Sequence, residues 1–266
     1  MKVVLFCGGL GTRTREYSES VPKPMISVGD HPILWHLMNY YSQYGHKDFV
    51  LCLGYKANMI KNFFLNYRLE TYADCVVSDA GEKVEILGDA NPDWRVTMID
   101  TGIWRNIGQR LWAVREHVES EEMFLANYSD ALADVNLHEM IETFRKSGKA
   151  ACFLAAPPSF SLHLVNMDSN GAVESIIPST KANLWINGGF FIFRPRVFDY
   201  MRDGEELVEA PFQRLIEANE LLAFRHAGFC RPMDTLKDKQ VLDDLVERGT
   251  TPWLDHINSG KSPLSA

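Results

Sequence analysis

The N-terminal segment limits the possible folds more tightly than any other part of the sequence. An apolar run from Val3 to Cys7 leads directly into the glycine-rich stretch Gly8 to Arg13. A short apolar run that ends at glycines indicates a buried strand. Glycines lack a Cβ and let backbone N–H groups turn toward phosphate oxygens. The opening is therefore typical of α/β domains, many of which bind a phosphate at this loop.

This glycine stretch does not match two common phosphate-binding motifs. Thr14 stands where the dinucleotide fingerprint G-x-G-x-x-G requires its third glycine, and no Gly-Lys-Ser/Thr closes the stretch as in a Walker loop. The Gly-Lys-Ser at 260–262 is not a Walker loop either, because Asp255 occupies the position of the first glycine. By itself, the stretch is equally compatible with a tight strand-to-helix turn.

The remaining sequence alternates between predicted strands and helices. Apolar runs predict strands at 48–54, 75–78, 96–99, 123–127, 150–156 and 187–193. Helical spacing of apolar residues predicts helices at 32–45, 56–67, 107–117, 135–147, 210–219 and 236–248. Two further runs, at 163–167 and 172–177, predict a hairpin. The alternation predicts a mixed, mostly parallel sheet with helices on both faces.

Charge and cysteine content argue against several classes of protein. The formal net charge is −8, whereas general nucleic-acid binders carry a basic surface. The five cysteines form no C-x-x-C pair, so we expect neither a structural zinc site nor a disulfide framework. The apolar stretch after Met1 and Lys2 is too short for a secretory signal, and no apolar run approaches the length of about 18 residues that spans a membrane. We therefore expect a cytoplasmic protein that binds neither nucleic acid nor membranes.

A lysine between two prolines gives the glycine stretch a more specific meaning. Lys23 lies between Pro22 and Pro24, ten residues after Arg13, and the prolines stiffen the backbone that carries its ammonium group. G-x-G-T-R followed by P-K-P is the pattern of sugar nucleotidyltransferases, and the chain resembles that family over roughly residues 1–253. The segments WINGGFF and PMDTLKDK are similar to those of its glucose-1-phosphate cytidylyltransferase branch.

The resemblance implies a reaction and a fold. The enzyme would join CMP from CTP to a sugar 1-phosphate and release pyrophosphate. The fold would be that of the nucleotide-diphospho-sugar transferases, a Rossmann-like, mostly parallel sheet flanked by helices, with a smaller β-rich acceptor-binding region. Residues 1–253 would form one domain, with a nucleotide half at about 1–156 and an acceptor half at about 157–253, followed by a polar tail at 254–266. Because the family forms oligomers, a homo-oligomer is expected.

The same resemblance assigns nucleotide-binding and catalytic residues. The positions that would bind the nucleotide are Gly8, Gly9, Leu10, Gly11, Thr12, Arg13, Lys23, Thr101 and Arg110. Among them, Arg13 and Lys23 would be catalytic, because they would stabilise charge that develops on the phosphates. Arg110 could instead be a solvated helix residue.

Two aspartates match the metal positions of the family. Asp130, in YSDA, follows a predicted strand, and Asp234 lies in PMDT. Mg²⁺ is the cofactor that the resemblance implies, and this ion prefers one or two carboxylates together with phosphate oxygens and water. Each aspartate could also be a helix cap or a turn residue.

Departures from the family pattern cluster on the acceptor side. Ser-Asp-Ala at 129–131 replaces Gly-Asp-Gly and adds bulk, and Phe-Ser-Leu-His at 160–163 replaces Phe-Gly-Ala-Leu. No Glu-Lys-Pro exists, and Lys181 is the nearest lysine that could meet the acceptor phosphate. Asn187 and Gly188 are the other acceptor-binding candidates. Three interpretations stay open: a cytidylyltransferase for glucose 1-phosphate or a relative, one for another phosphorylated acceptor, and a catalytically silent nucleotide-binding or scaffold homologue.

Overall fold

The computed structural model describes residues 1–11, 20–68, 74–87, 93–159 and 162–258. Thr12 and Arg13, both predicted to bind the nucleotide, lie outside these ranges. The helices within them are α1 (Ile33–Gln43), α2 (Ala57–Leu65), α3 (Ile107–Ala113), α4 (Leu137–Ser147), α5 (Ala210–Glu217), α6 (Leu236–Glu247) and α7 (Pro252–Asn258). None of these helices is long and apolar enough to cross a membrane.

The strands of the described residues form one large sheet and several two-stranded ribbons. Their bounds are β1 (Lys2–Phe6), β2 (Ser27–Val28), β3 (His31–Pro32), β4 (Asp48–Leu53), β5 (Cys75–Ser78), β6 (Lys83–Ile86), β7 (Arg95–Asp100), β8 (Phe124–Asn127), β9 (Ala131–Ala133), β10 (Ala151–Ala156), β11 (His163–Met167), β12 (Val173–Pro178), β13 (Ile186–Phe193), β14 (Leu221–Arg225) and β15 (Cys230–Pro232).

The large sheet has seven strands in the order β14-β10-β13-β8-β1-β4-β7. Four of its neighbouring pairs are parallel, and only β13 runs antiparallel to both of its neighbours, β10 and β8. The predicted mixed, mostly parallel sheet is therefore confirmed. The predicted hairpin is confirmed as well, since β11 pairs antiparallel with β12.

Helices cover both faces of the sheet, and β1 shows the consequence for the sequence. Val3 and Leu5 pack into one core cluster, together with Tyr40 of α1. Val4 and Phe6 point to the opposite face and pack into a second cluster. A strand buried on both faces has no polar alternation, which explains why β1 is an uninterrupted apolar run.

Short strands and one helix end differ from the sequence prediction. The predicted helix at 107–117 ends as α3 at Ala113 and continues as the 3-10 helix Arg115–His117. The strands β9 and β15 were not predicted, because three residues are too few for a periodic signal. The edge strand β14 was missed too, although it pairs in parallel with β10 over five residues.

The helix α7 carries the folded chain past residue 253, where the polar tail was expected to follow. Its Trp253 is fully buried and lies edge-on to the ring of His36 in α1, with 5.6 Å between the ring centroids. His36 contacts the carbonyl oxygen of Val28 through Nε2 at 2.8 Å, and burial lowers the pKa of His36 to about 4. A neutral imidazole can therefore lie inside this aromatic contact.

We expect Trp253→Ala to lower the free energy of unfolding by about 3–5 kcal/mol, because it removes a buried indole and leaves a cavity. Chemical denaturation monitored by circular dichroism measures this change. Trp104→Ala is the matched control, since that indole is 85% exposed, and its unfolding midpoint should hardly move. Equal midpoints for both variants would contradict a structural role for α7.

Candidate active site

A cavity of about 310 Å³ opens where β1 and the neighbouring parallel strand β8 end. It is lined by Phe6, Gly9, Gly11, Lys23, Pro24, Ile107, Tyr128, Ser129 and Asp130. Ligands of open α/β sheets bind at the carboxyl ends of the strands, so the location agrees with a nucleotide site. Five of these lining residues were not among the predicted site residues: Phe6, Pro24, Ile107, Tyr128 and Ser129. Tyr128 could have been suspected from its place directly before the Ser-Asp-Ala motif.

Lys23 and the two predicted metal ligands form an ion cluster at this cavity. Lys23 Nζ lies 2.5 Å from Asp130 Oδ2 and 2.7 Å from Asp234 Oδ1. The lysine is only 8% exposed. Burial by itself disfavours the charged form, but the attraction of Asp130 and Asp234 outweighs it, so the pKa of Lys23 lies above its ordinary value. The ammonium therefore stays charged at neutral pH.

The pairing of β9 with β15 brings the two aspartates together. Asp130 directly precedes β9, and Asp234 follows β15 by two residues. The strands are antiparallel with Ala131 opposite Pro232, and the Met233 N–H donates to the carbonyl oxygen of Asp130 at 2.8 Å. The two-stranded ribbon of β9 and β15, which was not predicted from the sequence, therefore holds both carboxylates at one of its ends.

The backbone at Lys23 is held in place between the two prolines, as the sequence predicted. The short 3-10 helix Lys23–Met25 begins after Pro22, whose carbonyl accepts from the Met25 N–H at 2.8 Å. The Ile26 N–H donates to the Lys23 carbonyl at 3.1 Å. The backbone that carries Lys23 is therefore held by hydrogen bonds on both sides of the residue.

Ser129 adopts the backbone conformation that favours the glycine of the family motif. Its φ is +66°, which is strained for a residue with a Cβ. The Ser129 hydroxyl donates to the Phe6 carbonyl at 2.8 Å, and its N–H donates to Asn127 Oδ1 at 2.9 Å. The bulk added by serine is thus directed to the end of β1, and Ala131 is buried in the core.

Arg110 is buried among the loops rather than exposed on α3, so the alternative of a solvated helix residue is wrong. It is 2% exposed. At 2.7–3.2 Å its terminal nitrogens donate to the carbonyl groups of Gly8, Leu53, Gly102 and Ile103 and to Thr101 Oγ1. Thr101 Oγ1 in turn donates to the Leu53 carbonyl at 2.7 Å. Both side chains hold the loops together, and their predicted contact with a nucleotide stays a prediction.

The glycines of the first loop differ in their surroundings. Gly8 is buried, and a Cβ there would overlap the guanidinium of Arg110. Gly9 is exposed, with nothing within 4 Å of a Cβ position, and Gly11 has a φ of +62°. Gly9 and Gly11 line the cavity, whereas Leu10 is half-buried and does not.

The predicted acceptor residues occupy different places. Asn187 lies near the cavity, since its Nδ2 donates to the Tyr128 hydroxyl at 3.2 Å. Gly188 is buried, and a Cβ there would lie 3.0 Å from Leu154 Cδ2, so its lack of a side chain serves packing. Lys181 is exposed in the 3-10 helix Ser179–Lys181 between β12 and β13. The structure therefore does not bring Lys181 into the set of residues that line the cavity.

The oxygen ligands of the ion cluster fit a hard divalent cation. Two carboxylates already converge on one positive group, Lys23 Nζ. No group of three or more His, Cys, Asp or Glu side chains suited to a metal occurs in the part of the chain that the structure describes. Two carboxylates completed by phosphate oxygens and water are a typical Mg²⁺ site, whereas zinc usually has more protein ligands.

We expect Gly8→Ala to destabilise the protein by about 2 kcal/mol or more, because it displaces the Arg110 guanidinium from its buried carbonyl partners. Gly9→Ala adds the same methyl group in open space and should change the free energy of unfolding by less than about 0.5 kcal/mol. Thermal and urea unfolding of the pair measure this difference. Equal stability of the two variants would contradict the structural role of Arg110.

Known proteins resemble this chain both in sequence and in fold. The family described as nucleotidyl transferase matches residues 2–228. The chain is 40% identical over 255 residues to the glucose-1-phosphate cytidylyltransferases of Salmonella typhi and Salmonella typhimurium, and each alignment covers 95% of this chain and 98% of the relative. The UTP-bound UGPase of Acinetobacter baumannii, 17% identical, superposes with a TM-score of 0.66 over 99% of both chains, which confirms the predicted fold. The chain belongs to the nucleotidyl transferase family.

Proposed function

We propose that this nucleotidyltransferase transfers CMP from CTP to a sugar 1-phosphate, either glucose 1-phosphate or a relative, and releases pyrophosphate. The observation that carries the proposal is the cluster of Lys23, Asp130 and Asp234 beside the glycine loop, in a chain that is 40% identical to glucose-1-phosphate cytidylyltransferases. A silent homologue has no need to keep a buried ammonium and two carboxylates at the end of β1. A homo-oligomer in the cytoplasm completes the proposal, on the family resemblance alone.

The reaction requires the protein to position CTP and the acceptor phosphate and to supply positive charge near the phosphates. An oxygen of the acceptor phosphate attacks the α-phosphorus of CTP, and the bond from that phosphorus to the bridging oxygen of the β-phosphate breaks as pyrophosphate leaves. The attacking phosphate is already an anion, so no side chain has to remove a proton. Lys23 supplies positive charge at the cavity, and because Gly9 and Gly11 line the same cavity, the glycine loop would contact the triphosphate. Arg13 would add a second cation.

Asp130 and Asp234 would hold Mg²⁺ in this proposal. The ion would neutralise charge on the phosphates when bound. Ser129 would keep Asp130 in place, because its hydroxyl ties the turn that carries Asp130 to the end of β1. Binding of the ion should therefore depend on the β9–β15 ribbon as well as on the two carboxylates themselves.

The acceptor is the part of the proposal that is most open to test. Tyr128 and Asn187 are linked by a hydrogen bond next to the cavity and would contact the acceptor. Lys181 is exposed and does not line the cavity. It would therefore have to approach the acceptor phosphate from outside the cavity. A phosphorylated acceptor other than glucose 1-phosphate is the second candidate, favoured by the missing Glu-Lys-Pro lysine.

We expect the purified protein to release pyrophosphate with CTP and Mg²⁺ from at least one sugar 1-phosphate. The measurement compares the four ribonucleoside triphosphates and dTTP, each with a panel of sugar 1-phosphates and other phosphorylated metabolites. Turnover with CTP and glucose 1-phosphate would reject the second candidate. Turnover with CTP and only another acceptor would reject glucose 1-phosphate. No turnover with any pair would leave the silent homologue.

Lys23→Met should reduce kcat by about 100-fold or more, because one preorganised positive group at the phosphates is lost. Lys146→Met is a matched control, since Lys146 is an exposed lysine in the last turn of α4 and its loss should leave kcat unchanged. Circular dichroism of both variants controls for folding. If Lys23→Met retained full turnover, the lysine would have no part in catalysis.

A further inference from the structure

The ion cluster at the cavity contains a positive charge at the place where the metal is expected. The Lys23 ammonium lies within 2.7 Å of a carboxylate oxygen from both Asp130 and Asp234. We propose that Lys23 acts as an internal cation that holds the two carboxylates until a nucleoside triphosphate takes the lysine over, so that metal binding depends on the nucleotide. This inference rests on the proposed function, in which the two aspartates hold the metal.

Lys23 and a metal ion cannot use the two carboxylates at the same time. The ammonium contacts one oxygen of each carboxylate, Oδ2 of Asp130 and Oδ1 of Asp234. Because Mg²⁺ binds its oxygen ligands at about 2.0–2.1 Å, an ion held by both side chains would lie close beside the ammonium. Two cations in so small a space would also repel each other strongly, because the lysine is buried and little screened by water. The metal therefore has to displace the ammonium.

The side chain of Lys23 is suited to such an exchange. Its backbone is held in the 3-10 helix between Pro22 and Ile26, while the side chain is a flexible four-carbon stem with a point charge at its end. Lys23 also lines the cavity together with Gly9 and Gly11. A triphosphate on that loop would lie within the same cavity and offer the ammonium a new partner.

Charge balance makes the exchange favourable only when both ligands are present. Without ligands, the one ammonium contacts both carboxylates, and the cluster of three side chains keeps a net charge of −1. A metal ion alone would leave the displaced ammonium inside a half-enclosed site without a counter-ion, which is costly. A metal ion together with a triphosphate gives each cation an anionic partner. Metal and nucleotide should therefore bind with positive coupling, and the coupling must be reciprocal.

The test measures metal affinity without any nucleotide. Mn²⁺ is titrated into the full chain, and free Mn²⁺ is followed by its electron paramagnetic resonance signal. We expect Lys23→Met to bind Mn²⁺ about tenfold more tightly than the unmodified protein, within the range typical of coupling between sites. Lys23→Gln, which keeps hydrogen-bond donors but carries no charge, should behave in the same way. Lys146→Met should leave the affinity unchanged, although it removes the same charge.

Three outcomes would overturn the inference. Equal or weaker Mn²⁺ binding by both folded Lys23 variants would show that the lysine does not compete with the metal, and the absence of Mn²⁺ binding in all variants would count the same way. A further Asp130→Asn substitution in the Lys23→Met background must abolish the gain in Mn²⁺ affinity. A gain that persisted would mean that the extra ion binds elsewhere.

Pyrophosphate release by the unmodified protein separates this inference from the proposed function. Normal turnover with CTP and no gain in Mn²⁺ affinity would reject only the exchange at Lys23. A tenfold gain in Mn²⁺ affinity without turnover on any acceptor would reject the proposed activity and keep the exchange.

Discussion

The carboxyl ends of three neighbouring parallel strands converge on one guanidinium group. Arg110 of α3 binds the carbonyl of Gly8 after β1, that of Leu53 at the end of β4 and that of Gly102 after β7. A guanidinium offers several donors in one plane. Its bonds add to those that the Gly8 and Leu53 carbonyls accept from the backbone N–H groups of Tyr55 and Thr101. The strand order of the sheet places these ends side by side. Arg110 fixes the position of the loop that starts at Gly8 through its bond to the Gly8 carbonyl.

The ion cluster is joined to the end of β1 as well, from the neighbouring strand β8. Ser129 joins the turn after β8 to the end of β1 through the Phe6 carbonyl, and the β9–β15 ribbon adds Asp234. The glycine loop, the lysine and the two carboxylates therefore belong to four separate segments that meet at one edge of the sheet. Strain at Ser129, with a φ of +66°, fits a position where local geometry serves the site rather than stability.

Much of the architecture could be predicted from local pattern. The apolar runs and helical spacing located the main strands and helices, because burial on both faces of a parallel sheet leaves a strong signal. The ribbon of β9 and β15 left no such signal, since it rests on pairing between distant segments. The two glycines Gly8 and Gly9 looked alike in the sequence, yet one faces Arg110 and the other the cavity.

The sequence by itself determined the class of fold and the glycine loop after β1, and its resemblance to the family predicted three charged site residues, Lys23, Asp130 and Asp234. Only the tertiary structure decided that these three side chains form one cluster, that Arg110 binds backbone carbonyls and that Ser129 turns toward β1. The physical reason is that residue type and local spacing report on burial and backbone preference. Partners of a buried charge come from segments far apart in sequence, and only the packed sheet brings them within hydrogen-bond distance.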